Sequence, residues 1–206
     1  MQKNLISKKI TSLLAKISET EISNKFYLAG GTALALQIGH RQSIDLDWFS
    51  AKIFKNSDLK KALSKIDKIE IIGEETGTLH LIMAGVKLSF LFYPHPLLFP
   101  VWQIKAGIKV TDERDIACMK LDAISSRGAK KDFIDLYFLL KKYSLEELLS
   151  LFDKKYKKIK YNRLHILKSL TYFQDAEKEP VPKMIEKISW RLVKEHLKKE
   201  VKNYLK

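Results

Sequence analysis

A single cysteine, Cys118, stands in this chain of 206 residues. A disulfide-built secreted fold and a cysteine-rich zinc module are both excluded, because neither can be assembled from one thiol. Long apolar runs are missing as well, and nothing approaches the roughly 18 consecutive apolar residues of a membrane span. The first twenty residues place Ile6, Ile10, Leu13, Leu14 and Ile17 at helical spacing among lysines, unlike the continuous apolar core of a signal peptide. A soluble, cytoplasmic protein with no membrane partner is therefore expected. The five histidines, His40, His80, His95, His165 and His196, lack metal-ligand spacing, so none is assigned to a metal.

Acidic residues are also scarce relative to basic ones: 24 Asp and Glu stand against 38 Lys and Arg, leaving a net charge of +14. Such an excess points to a polyanionic partner, most often nucleic acid, although lysine also serves solubility. The excess is uneven. Residues 1–140 carry 20 basic and 15 acidic side chains, whereas residues 141–206 carry 18 and 9.

What is present reads as an α+β chain. After a first amphipathic helix, Phe26-Tyr27-Leu28-Ala29 forms a short buried strand that runs into Gly30-Gly31-Thr32 and a helix through Gln37. Ser43 to Phe49 alternates polar and apolar residues, as a strand with one buried face does. Ser57 and Asp58 cap a helix through about Ile66, followed by strands at Ile69–Ile72, Leu79–Met83 and Val86–Phe92. Pro94, Pro96 and Pro100 punctuate a loop. From Asp112 onward the periodicity is helical, with breaks at Gly128 and caps at Ser144 and Asn162, and a last helix is predicted from Pro182 to Lys206. The division expected is an α/β core over 1–110 and a helical portion over 111–206 packed on it.

The glycine turn and the strand that follows carry the chemistry. Backbone N–H groups at a glycine turn opening a helix attract anions, so Gly30, Gly31 and Thr32 can grip a triphosphate. Asp45 and Asp47, at i and i+2 on one strand, place two carboxylates on one side, a suitable ligand pair for one or two Mg2+ ions. Farther on, Lys120 and Arg127 lie two turns apart along one helix face, and Asp132 and Asp135 share another. Either one of these two aspartates acts as a base on an attacking hydroxyl or both are helix N-terminal acids that stabilise the macrodipole.

Leu28 to Leu34, followed by Arg41-Gln42-Ser43-Ile44-Asp45-Leu46-Asp47-Trp48-Phe49, resembles the nucleotidyltransferases of the polymerase beta superfamily, and more closely the AbiEii/AbiGii toxin family. The segment Met119 to Ile124, Arg127 and Lys131 to Tyr137 resembles that family's second conserved region. The resemblance implies a nucleotidyltransferase-like mixed sheet with flanking helices and a C-terminal helical bundle. It further implies transfer of a nucleoside monophosphate from an NTP to an RNA acceptor such as a tRNA 3' end, by a toxin restrained by a cognate antitoxin. On that resemblance Gly30, Gly31, Thr32, Arg41, Ser43 and Lys120 bind the nucleotide, Asp45 and Asp47 hold Mg2+ or Mn2+, and Lys120, Asp132 and Asp135 complete the catalytic set.

One position departs from that pattern. Enzymes of the polymerase beta type usually take a third carboxylate from a neighbouring strand, and Val86 to Phe92 offers only Lys87 and Ser89 at its polar positions. Either Asp132 or Asp135 substitutes, or the chain is an inactive nucleotide- or RNA-binding module of the same fold. A metal-dependent nuclease is a third possibility, since paired aspartates also serve hydrolysis. Near the C-terminus, Lys183, Lys187, Arg191, Lys194, Lys198 and Lys202 recur at spacings of three or four and read as one basic helical stripe for RNA backbone.

Overall fold

The computed structural model describes residues 5–104 and 107–206. Helix α1 (Lys8–Ser18) buries Ile10, Leu13, Leu14 and Ile17, and the Ser7 side chain caps it by accepting from the Ile10 amide. The short α2 (Ile22–Lys25) leads into β1 (Tyr27–Ala29), which opens without a loop into α3 (Gly30–Ile38). Strand β2 (Asp45–Ser50), α4 (Asn56–Ser64) and the antiparallel run β3 (Ile69–Glu75), β4 (Thr78–Met83) and β5 (Val86–Phe92) follow. A small antiparallel pair, β6 (Trp102–Gln103) and β7 (Lys109–Val110), precedes the helical half: α5 (Glu113–Ser126), α6 (Lys130–Leu140), α7 (Leu145–Lys155), α8 (Arg163–Ser169), the single turn α9 (Gln174–Glu177) and α10 (Trp190–Tyr204).

The seven strands form one mixed sheet in the order β3-β4-β5-β2-β1-β7-β6. Strand β2 lies inside it, parallel to β5 on one side and antiparallel to β1 on the other. Its alternation sorts side chains by face. Leu46 and Trp48 join the main core, where Trp48 stacks on Phe90 of β5 at 6.1 Å, whereas Phe49 joins a smaller cluster with Tyr27 and Ala29 on the opposite face. Burying a side chain of that size stabilises the fold by about 2–3 kcal/mol. The main core continues into the helical half through Ile116, Leu121, Phe133, Leu136, Leu148 and Leu197, so sheet and helices share one apolar interior.

A buried ion pair within the helical half also holds the loop at 96–99. Asp115 of α5 takes the amides of Leu98 and Phe99 at 3.0–3.1 Å, and Lys155 of α7 lies 2.6 Å from the same carboxylate while donating to the Pro96 carbonyl. The proline-punctuated loop is thus tied to two helices.

The caps at Ser144 and Asn162 form as expected, as does one at Asp112. The last helix differs from expectation: it starts at Trp190, capped by Ser189, rather than at Pro182. Residues 183–186 lie against His40–Gln42 through a single antiparallel bridge between Met184 and Arg41 followed by a bend, where Gln42 donates to the Lys183 carbonyl at 2.8 Å and the Ile185 amide to the His40 carbonyl at 2.9 Å. Those backbone groups are satisfied by a distant segment and are lost to a helix.

Candidate active site

Register determines the first relationship of the site. Ala29 of β1 pairs with Asp47 of β2, so Gly30, the next residue, is placed beside the Asp47 side chain. Gly30 has φ +67°, and a Cβ there would sit 2.6 Å from Asp47 Oδ2. Both facts require glycine. At Gly31 a Cβ would run into the Arg41 guanidinium, with Ser43 Oγ 3.5 Å from the same point. Residues 41–43 therefore run alongside the glycine turn. The buried Thr32 hydroxyl donates to the Asp45 carbonyl, so it pins β2 to α3, and the Thr32 side chain does not line the cleft.

Asp45 and Asp47 are half-buried and line a cleft of about 550 Å³ whose walls come from the glycine turn, residues 41–49, α5 and the segment at Pro182 and Lys183. Neither carboxylate has an ion-pair partner among the described residues. Burial pushes the Asp47 carboxyl above its usual range, opposed by Lys120 and reinforced by the charge of Asp45, while Lys131 and Arg127 also pull downward.

Lys120, Asp132 and Asp135 come together: Lys120 lines the cleft, and the two aspartates, which do not, hold it from behind. The Lys120 ammonium, 4% exposed, lies 2.7 Å from Asp132 and 2.6 Å from Asp135, both fully buried. Arg41 forks onto Asp135 at 2.6 and 2.9 Å, and His40 Nε2 is 2.7 Å from it. Arg127 grips Asp132 at 2.8 and 3.1 Å. Burial alone would raise both aspartates, but Lys120 together with Arg41 and His40 holds Asp135 well below the carboxylate range, and Lys120 with Arg127 holds Asp132 low. Burial likewise disfavours the Lys120 ammonium, and the two carboxylates more than offset it. Neither aspartate lines the cleft, so the geometry gives no support to their replacing the strand carboxylate. On β5, Ser89 stands opposite Asp47 and is bonded to His80 Nδ1 at 3.0 Å.

The family model for the nucleotidyl transferase AbiEii toxin of type IV toxin-antitoxin systems matches residues 12–205. The chain belongs to the AbiEii toxin family. It is 41% identical over 205 residues to an uncharacterized protein of Aquifex aeolicus, covering 97% of this chain and 98% of that one. Two solved structures share the fold. MenT4, a nucleotidyltransferase toxin from Mycobacterium tuberculosis, superposes with a TM-score of 0.63 at 16% identity, covering 94% of this chain and 81% of its own. A candidate nucleotidyltransferase from H. pylori superposes with a TM-score of 0.56 at 19% identity, covering 95% and 91%. The nucleotidyltransferase-like α+β fold and the family are as the sequence motifs implied, and the chain is a toxin nucleotidyltransferase by family.

Several cleft residues of this AbiEii member escaped sequence reasoning. Phe49, Leu91, Tyr93 and Met119 form an apolar part of the lining, and Asp122 of α5 lines the same cleft. Burial raises the Asp122 carboxyl, with His95 and Arg127 pulling the other way. The α5 spacing of Met119, Asp122, Ala123 and Ser126 is one helical face, a signal that reading Lys120 with Arg127 passed over. Lys131 also lines the cleft.

The terminal basic stripe is divided. Lys183 and Lys187 precede α10, and Lys183 lines the cleft instead of a helix face. On α10, Lys194 is 2.5 Å from Glu177 and Arg191 is 3.7 Å from Glu195, while Lys198 lies 5.9 Å from the Phe173 ring centre. The single continuous stripe over 183–202 is thus corrected to a shorter helical part and a cleft-side part, because the Lys183 segment pairs with His40–Gln42. Trp190 packs against Phe133 and Phe173, which makes it core rather than a stacking platform. Among the described residues no group of three or more His, Cys, Asp and Glu gathers as a metal cage. The fit to Mg2+ is of the other kind, two carboxylates without an ion-pair partner among the described residues beside the glycine turn, because Mg2+ commonly takes one or two carboxylates plus substrate phosphates. Among the described residues no helix is long and apolar enough to cross a membrane.

Proposed function

We propose that this chain transfers a nucleoside monophosphate from an NTP to a hydroxyl of RNA, a tRNA 3' end, as the toxin of a toxin-antitoxin pair whose antitoxin restrains it. The observation that carries this reading is the cleft in which the unpaired carboxylates of Asp45 and Asp47 face the Gly30–Gly31 turn.

The first-turn amides of α3 have no partners within the helix and, with the helix dipole, receive the phosphates. Asp45 and Asp47 would hold Mg2+ or Mn2+, which when bound supplies charge neutralisation around the α-phosphoryl group. Arg41, held by Asp135, borders both the turn and the cleft, and Ser43 orients the same segment. Phe49, Tyr93 and Met119 receive the base. The acceptor oxygen bonds to the α-phosphorus and the bond to the β-phosphate bridging oxygen breaks. Its electron pair leaves on pyrophosphate and the hydroxyl proton passes to water. Lys120, Asp132 and Asp135 serve as positioning residues that keep Arg41 and Arg127 at the cleft wall.

The test is incubation with total tRNA, Mg2+ and each α-labelled NTP. Label joins RNA in the wild type and falls at least 100-fold in Asp47→Ala. Equal transfer by the variant, or RNA shortening in place of labelling, overturns the reading. Ser89 in the place of a strand acid favours a second reading, a binding module without turnover. That module predicts calorimetric NTP binding with no labelled product.

A further inference from the structure

The cations around the cleft divide into two groups. Arg41, Lys120 and Arg127 are committed to Asp132 and Asp135 by contacts of 2.6–3.1 Å. Lys131 and Lys183 line the cleft and, among the described residues, neither has a carboxylate within ion-pair distance. Lys131 comes from α6, next to the Asp132 cluster, and its charge acts on Asp47. Lys183 has no such neighbourhood in sequence, and only the segment at 182–186 brings it to the site.

That segment is held firmly. Its backbone makes three hydrogen bonds with residues 40–42: Gln42 N–H to Lys183 O at 2.8 Å, Ile185 N–H to His40 O at 2.9 Å and Glu186 N–H to His40 O at 3.2 Å. Arg41 and Met184 form the intervening bridge. Strands paired this way lie about 4.8 Å apart. Residues 41–43 in turn run against the glycine turn, with Arg41 and Ser43 bounding the space over Gly31. Glycine turn, residues 41–43 and the Lys183 segment are therefore successive layers on one side of the cleft. The side chain of Lys183 is exposed and unengaged, while its backbone is fixed. Lys183 thus lines the same cleft as the glycine turn at the start of α3.

We infer that Lys183 is the cation that grips the β- and γ-phosphates of the bound NTP and steadies the departing pyrophosphate, making the C-terminal segment a working wall of the active site. This rests on the nucleotidyltransferase reading above. A cation at the leaving group stabilises charge that grows as the bond to the α-phosphorus breaks, so its removal lowers turnover as well as binding.

The test uses the full chain and inorganic pyrophosphate as the probe, in Mg2+, by titration calorimetry, with the KM for NTP and for bulk tRNA measured in parallel. Lys183→Ala is expected to weaken pyrophosphate at least 10-fold and to raise the KM for NTP similarly. The KM for tRNA should stay within twofold, and Lys183→Arg should recover most of the loss. Thermal melting should be unchanged, because the segment is held by backbone groups. Lys158→Ala, which removes one exposed charge from the turn that follows α7, should leave pyrophosphate affinity as in wild type. Unaltered pyrophosphate affinity in Lys183→Ala overturns the inference and leaves the transferase reading standing. So does a raised tRNA KM alone, which would place Lys183 on the acceptor path, or an equal loss in Lys158→Ala, which would reduce the effect to net charge. A wild type that binds neither NTP nor pyrophosphate removes both.

Discussion

The Lys120 ammonium lies 2.6 Å from Oδ2 of Asp135, with both groups buried and Arg41 bonded to the same carboxylate. A buried pair of this kind contributes little relative to an apolar replacement, but breaking it by removing one partner strands a charge.

Asp135→Ala is therefore expected to destabilise the fold by about 3–5 kcal/mol. It leaves the buried Arg41 without its carboxylate and Lys120 with Asp132 as its one remaining partner. The pH profile follows from the direction of the shift. A carboxyl held well below its ordinary value contributes its stability above the unfolded value of about 3.9, and loses it as pH falls through the folded value. Urea unfolding at a series of pH values should show wild-type stability falling on the acid side and a flatter acid limb in Asp135→Asn. Parallel acid limbs in the two proteins would refute this account of the pair.

Gly30→Ala tests the closeness of turn and carboxylate. The left-handed backbone at φ +67° costs about 1–2 kcal/mol for alanine, and the added methyl would push the Asp47 carboxylate from its place. Transfer should fall at least 10-fold, since displacements near 1 Å can cost 100-fold. Gly85→Ala is the control: φ is +72° in the β4–β5 turn, and the nearest atom to a new Cβ is Lys9 Nζ at 3.7 Å. It should lose comparable stability and keep its activity. Similar activity losses in both variants would show that strain alone, and not Asp47, is what Gly30 governs.

Much of this arrangement was legible because it is local. The alternation from Ser43 to Phe49 has period 2, so Asp45 and Asp47 fall on one face whatever the tertiary context. The caps at Ser144 and Asn162 depend on residues two or three positions away. What escaped the sequence depends on distant pairing. Lys183 and Lys187 have helical spacing with the lysines that follow, but the amides of Ile185 and Glu186 find the His40 carbonyl instead. Asp132 and Asp135 share a face as their spacing indicates, but that this face meets Lys120 and Arg41 depends on residues far away in sequence. Asp122 becomes visible only once α5 is laid along the cleft. The two-residue strands β6 and β7 are too short for any periodicity.

Asp47→Asn should separate stability from function. In the metal-free protein two like charges sit on adjacent same-face positions with no cation paired to either, and burial and Asp45 raise the Asp47 carboxyl against the pull of Lys120. A raised carboxyl contributes most when protonated, and its charge costs stability as pH rises through the folded value. The variant should therefore melt higher than wild type at pH 7 in EDTA, by about 2–4 °C if the relief is near 1 kcal/mol. That advantage should shrink as pH falls toward the unfolded value of about 3.9, because protonation relieves the same cost in the wild type. Mg2+ with NTP should then raise the wild-type midpoint and leave the variant's unchanged, because binding to the native state adds stability in proportion to affinity. Differential scanning fluorimetry across these conditions, alongside the labelling assay, makes the comparison. A variant that melts below wild type at pH 7 in EDTA would mean that Asp47 is held for structural reasons, and the site would have to be sought around another carboxylate.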